Sequence, residues 1–183
     1  MLKVVIQPCK YWDAKKERFF VYPEKPVTLQ LEHSLVSLSK WEAKWQKPFL
    51  SNTSDRTDEE MNDYIRCMTL TQNVDPNLYY FIPDNVYNEI TEYIQSPMTA
   101  TTFSDNNNRP SREIITNELI YYWMITLQIP IDPCEKWHLN RLMTLIKVCS
   151  IKNSPQKKMS LNELRSRNRS LNEARRKAMN SRG

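Results

Sequence analysis

The stretch LEHSLVSLSKWEAKWQKPFL, residues 31–50, decides how the chain is read. Its apolar positions Leu31, Leu35, Leu38, Trp41 and Trp45 recur at steps of 4, 3, 3 and 4, the spacing that lines one face of an α-helix. Pro48 has no backbone N–H to donate and ends that helix. Further along, Thr57 followed by Glu60 is a capping box, predicting a helix from Asp58 to about Met68. The run 78–82 is apolar and aromatic but too short to classify, and Pro83 with Asp84 opens a short helix through Tyr93. Residues 104–110, with three consecutive asparagines, read as a surface loop. Ser111 then caps a strongly apolar helix over 112–127, whose Tyr121, Tyr122, Trp123 and Met124 are expected to be buried. Asp132, Pro133 and Glu135 supply an N-cap, a first-turn proline and the capping partner of a helix reaching about Val148. That helix is amphipathic through Trp137 or His138, Arg141 or Leu142, Leu145 or Ile146, and Cys149.

On the N-terminal side, 4–6 and 18–22 are rich in β-branched and aromatic residues and read as a small hairpin around a polar segment. The expectation is a mainly α fold (α+β). An N-terminal hairpin precedes five or six helices packed around Trp41, Tyr122, Trp123, Trp137 and Leu142, and a basic C-terminal helix follows. A linker over 151–158 separates a globular body, 1–151, from an arm, 152–183, in which Ser160 and Glu163 begin the last helix. With 183 residues the chain suits one domain with an appendage.

Composition narrows the chemistry. The chain has one glycine, Gly183, where average usage of about 7% would give roughly a dozen. Phosphate-cradling loops and nucleophile elbows need glycine's freedom from a Cβ, so neither is built here. The four cysteines have no C-x-x-C pair and read as reduced thiols. The apolar run 119–127 is about half a membrane crossing, and 1–10 lacks a signal-peptide core, so the chain is expected to stay where it is made. Charge is unevenly placed. Residues 152–183 hold ten Lys and Arg against two acidic residues, while 1–151 hold 16 basic and 19 acidic. A slightly acidic body thus bears a basic arm, of the kind that meets nucleic acid, acidic protein or anionic lipid.

Candidate reactive groups have plain alternatives. His33 and His138 stand among apolar neighbours on predicted helices and read as hydrogen-bonded structural histidines. Glu59 with Glu60, and Glu89 with Glu92, read as solvated pairs on helix faces. The aromatic set Trp41, Trp45, Tyr121, Tyr122, Trp123 and Trp137 reads as core. Trp41 and Trp45, beside Lys40, Lys44 and Lys47, are the exception that faces a partner. Arg165, Arg167, Arg169, Arg175, Arg176 and Lys177 of the arm are the second partner-binding set, spread around their helix among the sparse apolar residues Leu161, Leu164, Leu171 and Met179. No catalytic residue, metal or cofactor is expected.

Three segments together, 31–50, WHLNRLMTLIKVC at 137–149 and RNRSLNEARRKAMNSRG at 167–183, resemble a family of small proteins from the tail-gene region of long-tailed, siphovirus-type bacteriophages: the tail assembly chaperones. The resemblance spans most of the chain, on structural rather than chemical motifs. It implies a non-enzymatic, mostly helical factor in the host cytoplasm. Such a factor binds the tape measure protein, keeps it soluble and helps recruit tail tube protein before leaving; some are also made in a longer, frameshifted form. Self-association, and nucleic acid through the arm, are further partners this reading allows; a membrane is not. Two other readings stand beside it. One is a virion component, a connector or tail subunit whose arm lies against DNA or a neighbouring subunit. The other is a phage DNA-binding protein.

Overall fold

A computed structural model of the chain describes residues 1–50, 56–103, 113–153 and 161–179. They fall into two compact units, Met1–Ser150 and Ile151–Gly183. The expected 104–110 loop, the Ser111 cap, most of the 151–158 linker and the Ser160 cap lie outside the described residues. The fold is mainly α with some β.

Four short strands open the first unit: β1 (Leu2–Ile6), β2 (Cys9–Asp13), β3 (Arg18–Tyr22) and β4 (Val27–Leu31). The pairing is nested, β1 with β4 from Leu2↔Leu31 to Ile6↔Val27 and β2 with β3 from Cys9↔Tyr22 to Asp13↔Arg18, both antiparallel. The expected pairing of 4–6 with 18–22 is therefore wrong, because each takes a strand the sequence reading left unassigned. The two ladders are separated by 7–8 and 23–26, which contain Pro8, Pro23 and Pro26, residues that cannot donate to a ladder. Alternation in β1 and β4 buries Val4, Ile6, Leu29 and Leu31. Leu31 thus belongs to a strand and not to the helix its spacing suggested. Beyond it the chain 69–71 continues the pairing: Glu32 N donates to Met68 O at 2.9 Å and Leu70 N to Gln30 O at 2.7 Å.

Helix α1 (Leu35–Trp45) starts at Ser34, whose hydroxyl accepts from Ser37 N while Ser37 Oγ accepts from Ser34 N at 2.9 Å. It ends at Gln46, which takes the left-handed conformation, φ 53°, that glycine normally supplies. Glu17, Asn73, Met98 and Gln128 also have positive φ among the described residues. Helix α2 (Asp58–Met68) has the capping box of Thr57 and Glu60, as expected. A 3-10 turn, Pro76–Phe81, precedes α3 (Asp84–Gln95), and α3 packs against β1. α1 packs on both α2 and α4 (Asn117–Thr126).

Helix α4 is shorter than expected and turns its middle to solvent. Tyr122 is 61% exposed, and Trp123 is only half-buried, while Ile120 and Met124 are fully buried. The expected core around Tyr122 is corrected accordingly: an all-apolar run cannot bury every side when one face must meet water. The helix expected from Asp132 is also broken. The residue before a proline is pushed out of the α region, and Asp132 is extended at ψ 128° within the four-residue turn α5 (Ile131–Cys134). α6 (Leu139–Asn153) begins seven residues after Asp132 and buries Leu139, Leu142 and Ile146. The side chains of Asp132 and Glu135 do not form the expected capping box: they accept from Lys136 Nζ at 2.6 Å and Tyr121 OH at 3.0 Å, while the Glu135 backbone N–H closes α5 on Ile131 O. Trp137 is half-buried beneath the Arg141 guanidinium, 4.1 Å from its ring centroid. The second unit's described part is α7 (Leu161–Met179).

The buried carboxylate of Glu42 ties these helices together. It accepts from Phe49 N at 2.8 Å, Asn117 N at 2.8 Å and Asn117 Nδ2 at 2.7 Å. Glu42→Ala strands those donors in the interior and should cost about 2–4 kcal/mol of unfolding free energy in urea titrations. Glu59→Ala, on an exposed face, should change it by less than about 0.5 kcal/mol.

Candidate functional site

The first expected partner surface is a helix seam. Trp41 is 1% exposed, with its Nε1 donating to Glu60 O at 2.8 Å, so it faces the core and not a partner. Trp45 is half-buried, stacked 6.2 Å from Trp41, and donates to Asp63 Oδ2 at 2.8 Å. Lys44 and Lys47 are paired to Asp63 and Glu60 at 2.7 and 2.5 Å. Burial pushes the Asp63 carboxyl up, but donation from Lys44, Trp45 and Arg66 outweighs it and holds Asp63 below the usual range. Lys47 and the Thr57 N–H hold Glu60 low in the same way. What the tryptophan and lysine spacing carried was the α1–α2 contact.

The histidines lie next to each other, each just outside a helix. Their rings are 5.0 Å apart and both are buried. His138 Nε2 donates to Tyr93 O at 3.0 Å, leaving Nδ1 to accept from Asn140 N at 3.3 Å. His33 Nδ1 pairs with Tyr64 OH at 2.6 Å. Leu139 N donates to His33 O at 2.7 Å, so the pair joins the start of α1 to the start of α6. Burial, then the neighbouring His138, push His33 down to about 3; burial lowers His138 as well. Both rings are therefore neutral at pH 7 and hydrogen-bonded within the fold. Glu60 is buried by its capping role, whereas Glu59, Glu89 and Glu92 are exposed. Among the described residues no three His, Cys, Asp or Glu side chains stand where they could hold a metal ion. The four cysteines are free thiols.

A surface the sequence reading missed is the hairpin β2–β3, which has aromatic side chains on both faces. The inner face is fixed: Tyr11, Phe20 and Tyr22 surround Phe81 at centroid distances of 4.8, 5.9 and 5.0 Å. Tyr11 OH donates to Phe81 O at 3.0 Å and Tyr22 OH to Asp75 Oδ2 at 2.6 Å. Burial and that bond push the Tyr22 hydroxyl up to about 12. The outer face carries Lys10 and Trp12 opposite Val21 and Phe19. Trp12 is 54% and Phe19 69% exposed, in an edge-to-face pair at 4.9 Å. The signal was present as alternating aromatics in CKYWD and RFFVY, but only the first segment's pairing reveals it, and that segment reads as polar.

Taken by itself, α7 displays Arg165, Arg167, Arg169, Arg175, Arg176 and Lys177 on an exposed helix. Arg169 Nε lies 3.8 Å from Glu173 Oε1. The expected even spread needs refinement: at 3.6 residues per turn Arg165, Arg169 and Arg176 fall within about 40° of one another. No described helix is long and apolar enough to cross a membrane.

The histidine pair sets a pH dependence. An unfolded histidine titrates near 6.5, and both folded histidines titrate lower. Their stabilisation is complete above pH 6.5 and is lost as pH falls, because the unfolded chain then binds protons the folded one does not. Urea titrations between pH 7.5 and 5 should show unfolding free energy falling, with His33 contributing a slope approaching about 1.4 kcal/mol per pH unit, and a shallower fall for His33→Asn. No protein-family model, curated protein or solved structure matches the chain.

Proposed function

We propose that this protein is a non-enzymatic assembly factor that works by covering an apolar surface of a macromolecular client. The observation that carries the reading is the outer face of β2–β3. A Trp and a Phe stand in solvent on a ribbon whose other face is locked to the body. Burying such rings in a partner is worth roughly 1.5–3 kcal/mol each, and neither contributes that energy to the fold as it stands. Large exposed aromatics on a rigid support are the usual anchors of protein interfaces. In the setting implied by the tail-chaperone resemblance, the client is the tape measure protein, whose long helices present apolar stripes during assembly, and the complex forms in the host cytoplasm.

Co-expression with a tape measure fragment tests this reading. The soluble fraction of the fragment should rise in the presence of the protein and fall back with Trp12→Ala or Phe19→Ala. Because both rings project from the outer face, these variants should lose no more than the edge-to-face pair itself, about 0.5–1.5 kcal/mol of stability, and stay folded. A fragment equally insoluble with and without the protein rules the reading out.

A second reading has one observation in its favour. The line of Arg165, Arg169 and Arg176 on α7 suits a polyanion, as in a virion component whose arm lies on DNA or a neighbouring subunit. Peptide mass mapping of purified particles separates the two: the assembly factor is absent from them, and a virion component is present at integral copy number.

A further inference from the structure

Helix α7 has a line of two leucines and an alanine interrupted by one asparagine and one arginine. Leu164, Asn168, Leu171, Arg175 and Ala178 follow one another at steps of 4, 3, 4 and 3. These positions fall within about 80° of arc at 3.6 residues per turn, and their mean spacing is the 3.5 residues of a coiled-coil seam. Leu164 and Leu171 are each 46% exposed, so the seam is open in this structure. Arg165 follows directly on its first leucine, and Arg167 lies on the opposite flank.

We propose that α7 is one strand of a coiled coil completed by an acidic amphipathic helix of another protein. The charge around the seam selects that occupant. Between 161 and 179 the chain has six Lys or Arg and two Glu. A second copy of α7 would bring the same excess into contact and place Arg175 against the seam of an identical basic helix, where nothing neutralises it. An acidic partner instead offers a carboxylate to Arg165 at the flank. It also offers one to Arg175 within the seam, where a desolvated guanidinium and carboxylate form a strong, bidentate bond. Asn168 sets the register, since a polar seam position is satisfied only opposite another polar group. A lone helix of this length with so narrow an apolar face is marginal in water, so partner binding and helix stability are coupled. The inference concerns a different surface from β2–β3 and stands independently of the tail-assembly reading.

The test uses the full chain and three labelled probes in fluorescence anisotropy. The first is a synthetic three-heptad peptide with a leucine seam, Asn opposite Asn168, and glutamate at the flanks and opposite Arg175. The second has the same seam with lysine replacing glutamate, and the third is an oligothymidylate. The acidic peptide should bind at least about tenfold more tightly than either other probe, a difference of about 1.4 kcal/mol. Leu171→Lys and Arg175→Glu should each weaken it at least about tenfold, with helix content of the variants checked by circular dichroism. Equal binding of the two peptides, or affinity unchanged by Leu171→Lys, overturns the proposal. Tighter binding of the oligothymidylate overturns it in favour of phosphate recognition. A dimer in sedimentation that Leu171→Lys dissolves overturns it in favour of self-pairing.

Discussion

One carboxylate organises the helical body. Glu42 leaves the middle of α1 for the interior, where it accepts from the backbone beyond α1 and from the first residue of α4. Lys44 and Lys47 of the same stretch are paired instead to Asp63 and Glu60, so Glu42 relies on N–H donors. Its burial is offset by three hydrogen bonds to an ionised acceptor, each worth about 1.5–3 kcal/mol, and by its place at the N-terminus of α4, where the helix dipole favours a negative charge. Holding α1 in that rotation settles the rest of its surface. Trp41 and Trp45 are directed onto α2, and Leu35 and Leu38 into the common core. The histidine pair then joins the start of α1 to the start of α6.

With the core so committed, the surfaces left for partners are those whose aromatic or aliphatic groups have no internal role. The inner face of β2–β3 is used up on Phe81, while its outer face leaves Trp12 and Phe19 largely exposed. In α7 the same contrast runs along a helix, with an aliphatic line among arginines. Both are the surfaces on which the proposed contacts with partners rest.

Local signals were the legible part of the sequence. Thr57 and Glu60 placed α2 correctly because both halves of a capping box lie within one turn, and Pro83, whose extended backbone precedes Asp84, marked the start of α3 without any side-chain cap. Signals that depend on distant partners misled. Leu31 sits at helical spacing from Leu35, yet pairing with Leu2 makes it a strand residue. Asp132 looked like a helix start until the constraint of Pro133 extended it, and the helix began only after His138 had met Ser34. The site was less legible still. Trp41 and Trp45 suggested a surface because lysines surround them, but those lysines are ion-paired across the seam to α2. Trp12 and Phe19 drew no notice because which face of a ribbon stays uncovered is decided by Phe81, about sixty residues away.

Five described residues with side chains occupy left-handed backbone positions that other proteins commonly give to glycine. Each is held there at a conformational cost of about 1–2 kcal/mol, which the surrounding contacts must supply. A backbone without interior glycine also has fewer states to explore when unfolded, so less entropy is lost on folding. The rarity of glycine thus acts through the unfolded chain: glycine at any of the five left-handed positions would relieve backbone strain but enlarge the set of unfolded states that folding must give up.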